Sequence, residues 1–148
     1  MLLVDTNVLV DVLEDDHQWA DWSIEQLRAQ SKIHSLAINP VIYSELSLTF
    51  STVEAQDETI TKPWTGHDRD APPRDVSGGK GVCSLPSTKW HKNNVLGDFF
   101  IGAYAEVSGH PLLTRDVRRY TAYFSGVTLI SPGVSTRETE ILSVKKKS

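Results

Sequence analysis

The sequence predicts an α/β fold with a mostly parallel sheet, and three observations carry that expectation. Short apolar runs suited to buried strands, Leu2 to Val4, Leu112 to Leu113 and Thr128 to Ile130, alternate with segments of helical spacing. Two of these runs lead into an aspartate, Asp5 and Asp116, at their carboxyl ends, the edge of an open parallel sheet where ligands bind. Asn39 followed by Pro40 is a helix start in which Asn caps and Pro takes the first helical position, where its missing N–H costs nothing.

The chain opens LLVDTNVLVDV. Asp5 reads equally as the N-cap of a helix beginning near Asn7 or as a ligand, with Thr6 and Asn7 offering further oxygens. Glu14, Asp15 and Asp16 precede a second helix that ends near Gln30, and Trp19, Trp22, Ile24 and Leu27 form its apolar side. The two tryptophans read as core or subunit-contact residues. Ile33 to Ile38 is a short strand, and the Pro-started helix runs to about Phe50, burying Val41, Ile42, Leu46, Leu48 and Phe50. Glu45 lies among those apolar residues, where a carboxylate needs a compensating cation, base or metal. A further helix spans Val53 to about Lys62.

From Pro63 to Lys92 neither helical nor strand periodicity survives. The stretch PWTGHDRDAPPRDVSGGKGVCSLPSTKWHKNN holds four prolines and four glycines. Its length exceeds what a compact domain usually spends on loop. It reads as a disordered or substrate-facing segment, or as translation in a shifted frame with the proper one recovered just before Asn93. GGKG inside it lacks the spacing of a phosphate-cradling loop. Pattern returns in a helix from Val95 through Val107, with Asp98 in its first turn and Gly109 and Pro111 closing it. Leu112 and Leu113, a helix over Arg118 to Phe124, a last strand at Thr128 to Ile130 and a small element at Glu138 to Leu142 follow. Lys145, Lys146 and Lys147 read as a soluble tail.

At 148 residues the chain suits one domain, 1–148. Its one cysteine, Cys83, excludes an internal disulfide and a cysteine-based metal cluster. No apolar run suggests a signal peptide or a membrane span, so a cytoplasmic location is expected. The net charge of -4 is unevenly divided: residues 1–61 carry eleven acids and two bases, residues 62–148 eight acids and thirteen bases. A polyanionic partner is therefore neither excluded nor implied.

Asp5, Glu45, Asp98 and Asp116 occupy strand ends and helix starts that can converge on one sheet edge. Clustered carboxylates raise one another's pKa and need a cation, and an oxygen-only set suits Mg2+ or Mn2+ rather than zinc. Such an ion could activate water and offset charge on a phosphate, which makes phosphodiester hydrolysis the best-fitting reaction. No nucleophile motif supports acyl transfer.

DTNVLVDVL, Glu45 in its Pro-started helix, NNVLGDFFIGAYA and PLLTRD together resemble the PIN-domain family, in particular the toxin ribonucleases of bacterial VapBC toxin–antitoxin pairs. The resemblance covers roughly residues 1–60 and 93–132, and the Pro/Gly-rich middle departs from it. It implies a three-layer sandwich around a central, mostly parallel sheet, Mg2+- or Mn2+-dependent endoribonuclease activity, homodimerisation, and inhibition by a small antitoxin. It further implies that Asp5, Glu45, Asp98 and Asp116 are catalytic, with Asp5, Asp98 and Asp116 on the metal and Asn7 and Thr114 in support. Arg115, Arg118 and Arg119 adjoin Asp116 and are the candidates for RNA phosphate contact. Two rival expectations stand beside this one: a nuclease of another nucleic acid, and a catalytically silent protein that acts through a partner surface formed by Trp19, Trp22 and the apolar helices.

Overall fold

A computed structural model describes residues 1–61 and 95–133. The Pro/Gly-rich segment 63–92, the expected element at 138–142 and the terminal lysines lie outside the described residues.

Among the described residues the sheet is wholly parallel. Strand β1 (Leu2–Val4) is buried on both faces and lies between β2 (Leu36–Ala37) and β3 (Leu112–Leu113), while β4 (Leu129–Ile130) adds beyond β3, giving the order β2-β1-β3-β4. A strand covered on both faces reads as an unbroken apolar run, as LLV does. The chain leaves β1 toward β2 on one side and later builds β3 and β4 on the other, so the direction of winding reverses between β1 and β3. Such a reversal opens a crevice at the carboxyl ends of the two central strands. Asp5 and Thr114 stand at that place, each one residue past its strand, and Asp5 N–H continues the ladder to the Leu113 carbonyl at 2.9 Å.

Helices flank the sheet. α1 (Thr6–Leu13) follows β1 directly, with Asp5 at its N-cap position in extended conformation but with no capping bond from the Asp5 side chain. α2 (Ala20–Ser31) turns Ala20, Ser23 and Leu27 inward, at the three- and four-residue spacing of one helix face. Trp22 and Ile24 of the expected apolar side are half-buried at its flanks. The expected strand at 33–38 shrinks to two residues, because Ile33 and His34 donate their N–H groups to the Gln30 carbonyl and complete the end of α2 instead.

α3 (Pro40–Leu46) begins as the sequence predicts: Asn39 Oδ1 accepts the Ile42 N–H at 2.9 Å. It stops at Leu46 rather than Phe50. Ser44 and Ser47 hydroxyls bond back to main-chain carbonyls, the Thr49 N–H tightens onto Leu46, and Leu48, expected inside, is 64% exposed. α4 (Val53–Thr61) follows.

α5 (Val95–Ser108) ends in a reverse turn of defined chemistry. Gly109, at φ +67°, donates to the Glu106 carbonyl, and His110 donates to the Ala105 carbonyl. Only a residue tolerant of the left-handed region closes a helix this way, which is the role Gly109 was expected to play. α6 (Val117–Tyr123) is capped by Asp116, whose carboxylate accepts the Arg119 N–H at 3.3 Å. The core gathers β1, β3, the inner faces of α1, α2 and α3, Ile101 and Ala105 of α5, and Tyr120 and Phe124.

Candidate functional site

The crevice between β1 and β3 is filled by hydrogen-bonded side chains. Asp5 is 2% exposed, and its Oδ2 accepts the Thr114 hydroxyl at 2.6 Å, the Asn7 amide at 2.9 Å and the Tyr120 hydroxyl at 3.1 Å. Thr114 in turn accepts from Asn7 Nδ2 at 3.2 Å and from the Asp116 N–H at 3.1 Å. Burial pushes the Asp5 carboxyl up to about 7; the Thr114 and Tyr120 bonds pull the other way, and the charges of Asp98 and Glu45 add to the rise. The Tyr120 phenol is raised as well, through its own burial and the neighbouring charge of Asp5.

The other three acids of the expected quartet are bound to side chains of their own. Glu45 accepts the hydroxyl of Thr6. Asp98 and Asp116 share one guanidinium: Arg119 Nη1 bonds Asp98, and Arg119 Nε lies 2.9 Å from Asp116 Oδ2. Asp98 is raised by burial, with the Arg119 bond and charge opposing the rise.

The structure brings Asp5, Asn7 and Thr114 together by hydrogen bonds, and Asp98 and Glu45 lie near enough for their charges to act on Asp5. The expected metal chemistry is corrected. Among the described residues there is no group of three or more His, Cys, Asp or Glu side chains able to hold a metal ion. The donor set therefore does not fit the Mg2+ or Mn2+ assigned to Asp5, Asp98 and Asp116. The physical reason is that the carboxylates are divided among internal partners: three donors converge on Asp5, a hydroxyl takes Glu45, and Arg119 supplies the positive charge for Asp98 and Asp116. With that site goes the reading of the chain as a metal-dependent endoribonuclease toxin, for which the quartet was to provide the catalyst. The cation that clustered carboxylates need is supplied for Asp98 and Asp116 from within the chain, by Arg119.

The arginines proposed for phosphate contact are unequally placed. Arg115 Nε lies 2.8 Å from Asp11 Oδ2, and its guanidinium carbon sits 5.4 Å from the centre of the Trp19 ring. Arg119 is engaged as described, and Arg118 is exposed. Asp11, 2% exposed, also accepts the Ser23 hydroxyl at 3.0 Å, so this pair fastens α1, α2 and the β3–α6 loop together. Trp19 meets Trp22 edge-on at 6.2 Å, and Trp22 packs against the core.

Sequence reasoning missed two features. Tyr120 follows Val117 at helical spacing and precedes Phe124 by four, which marks it as inward-facing and within reach of the sheet edge. The apolar surface lies on α5, not at the tryptophans: Leu96, Phe99, Phe100, Tyr104 and Val107 are exposed, Val107 by 90%, with Tyr123 of α6 beside them at 68%. Apolar residues run nearly all round α5. Among its described residues, Gly97, Ile101, Gly102 and Ala105 are the buried ones.

No family model, no curated protein and no solved structure matches the chain. No helix among the described residues is long and apolar enough to cross a membrane.

Proposed function

We propose that this chain is a protein-interaction domain without catalytic turnover, a three-layer α/β sandwich that pairs with a second copy of itself through the outer face of α5 and Tyr123. The observation that carries the reading is the exposed apolar stripe of α5. At 100° per residue, Leu96, Val107, Phe100 and the half-buried Ala103 fall on one line, with Phe99 and Tyr104 to either side. No charge interrupts this arc; Glu106 stands at its border.

The largest contiguous apolar patch on a monomer is typically about 300–600 Å2 and is often functional. With an aromatic side chain presenting roughly 150–250 Å2 when fully exposed, the four partly exposed aromatic rings together with Leu96 and Val107 offer roughly 600 Å2. That approaches the ~800 Å2 each partner contributes to a standard interface. An uncharged stripe asks for no complementary charge across it, which favours like against like, and a two-fold axis through the middle of α5 would bury the same patch on both chains. The internally compensated carboxylates leave the sheet edge a structural role, joining α1, α3, α5 and α6 to the strands.

Sedimentation equilibrium of the wild type and of Val107→Glu tests the reading. Twice the chain mass is expected for the wild type and the single mass for the variant, with unchanged circular dichroism. A wild type that stays monomeric at tens of micromolar would overturn it.

A further inference from the structure

The α5–α6 seam is built of successive rungs. Asp98 of α5 holds Arg119 of α6; one residue on, the Phe99 ring meets Tyr123 at 6.3 Å and Phe124 at 5.1 Å; and Gly102, a turn beyond Asp98, lies directly against the Phe124 ring. Arg119 and Tyr123 are four apart on α6, and Asp98 and Gly102 four apart on α5, so each pair lies along one side of its helix. α6 has only seven residues, too few to hold its own geometry without tertiary support. That support comes from Phe124 at one end and from the guanidinium at the other. Arg119 ties α5 to the N-cap of α6 by bonding Asp98 and Asp116 together, and the three side chains are 39%, 19% and 35% exposed.

We infer that Arg119 is a positioning residue for the pairing surface: by clamping Asp98 of α5 to Asp116 at the head of α6, it fixes the angle at which Tyr123 joins the exposed face of α5. This rests on the pairing proposed above. Arg119 itself lies off the apolar stripe, so its effect on association is exerted through the placement of α6. The consequence is a dependence on salt that an apolar face alone does not give. Burial of uncharged surface has no charge to screen, whereas the half-exposed clamp is weakened as the Debye length shrinks from about 10 Å at 0.1 M to about 3 Å at 1 M.

The test is the dissociation constant of the full chain by sedimentation equilibrium at 0.05 and 0.5 M sodium chloride, for the wild type, Arg119→Met and Arg119→Lys. The wild-type pair is expected to weaken with salt. Arg119→Met removes the charge-assisted contacts to both Asp98 and Asp116 and should pair about tenfold more weakly at low salt and lose the salt dependence. Arg119→Lys, which keeps the charge and reaches one carboxylate, should recover part of both. Asp98→Asn breaks the clamp from the α5 side and is expected to reproduce Arg119→Met, so it decides the matter if that variant does not fold. Tight, salt-dependent pairing retained in both Arg119→Met and Asp98→Asn overturns the clamp while leaving the pairing intact. A monomeric wild type instead removes the pairing reading, and the clamp's role with it.

Discussion

The Thr114 hydroxyl donates to the Asp5 carboxylate at 2.6 Å across 109 residues of chain, and this bond joins the carboxyl ends of the two central strands. Both groups are buried, with Thr114 fully enclosed and Asp5 nearly so. The sheet is thereby pinned at the point where its winding reverses, by a carboxyl that ionises only near neutrality.

A pH dependence of stability follows from that carboxyl. Its pKa stands at about 7 in the folded chain against an ordinary 3.8, raised chiefly by burial. Between those values the folded state holds a proton that the unfolded state has released, so stability falls as pH rises through this window. The contribution of protonated Asp5 is complete below about pH 4 and gone above about pH 7, and a shift of this size corresponds to on the order of 4 kcal/mol. Urea unfolding of Asp5→Asn, whose amide oxygen can keep the three donors, should show a visibly flatter profile between pH 4 and 8 than the wild type. Superimposable profiles would mean that Asp5 titrates normally.

Asp11 and Arg115 make a second, partly buried connection. Asp11→Ala removes the partner of the Arg115 guanidinium and of the Ser23 hydroxyl together. With Arg115 about one-third exposed, solvent takes up part of the loss, and a destabilisation of about 2 kcal/mol is expected rather than the larger cost of a wholly buried pair. Because Arg115 lies over Trp19, tryptophan fluorescence should change in the folded variant as well. An unmoved urea midpoint would show that the pair contributes nothing net.

The division of the carboxylates predicts indifference to divalent ions. A ligand at one hundred times its Kd stabilises a protein by about 2.7 kcal/mol, enough to move a melting temperature by several degrees. Millimolar Mg2+ or Mn2+ should leave the thermal transition of this chain where it is. A saturable rise, lost in Asp98→Asn, would restore the metal site that the geometry denies.

Much of the architecture was legible because it depends on local signals. LLV and LL are apolar runs short enough to be strands and followed at once by polar residues; Asn39–Pro40 and Gly109 mark helix ends by backbone chemistry that few other residues can supply. The position of Asp5 at the sheet edge follows from the end of the LLV run, which the sequence discloses too. What it does not disclose is the direction in which a side chain spends its charge. Asp98, Asp116 and Arg119 can be seen to share the neighbourhood of one sheet edge, but a guanidinium between the two carboxylates and a cation between them give the same spacing in the chain. Likewise the apolar letters of α5 do not say which side is covered, since that depends on where α6 and the sheet lie against it.

Gly102 offers the sharpest test of the α5–α6 seam. In an exposed helix, replacing this glycine by alanine should stabilise by about 1 kcal/mol, through the lower entropy of the unfolded chain and better helix propensity. Here a Cβ would overlap the ring of Phe124, which is 6% exposed and held between Phe99 and the core. The ring has to move out of its packed position, and overpacking of this kind costs about 1–3 kcal/mol, which cancels or exceeds the propensity gain. Gly102→Ala should therefore lower the urea midpoint, and Phe124→Leu in the same chain should return part of the loss by making room for the methyl group. A midpoint that rises in Gly102→Ala alone would mean that Phe124 is free to swing aside, and that the aromatic rungs do not hold α6 in place.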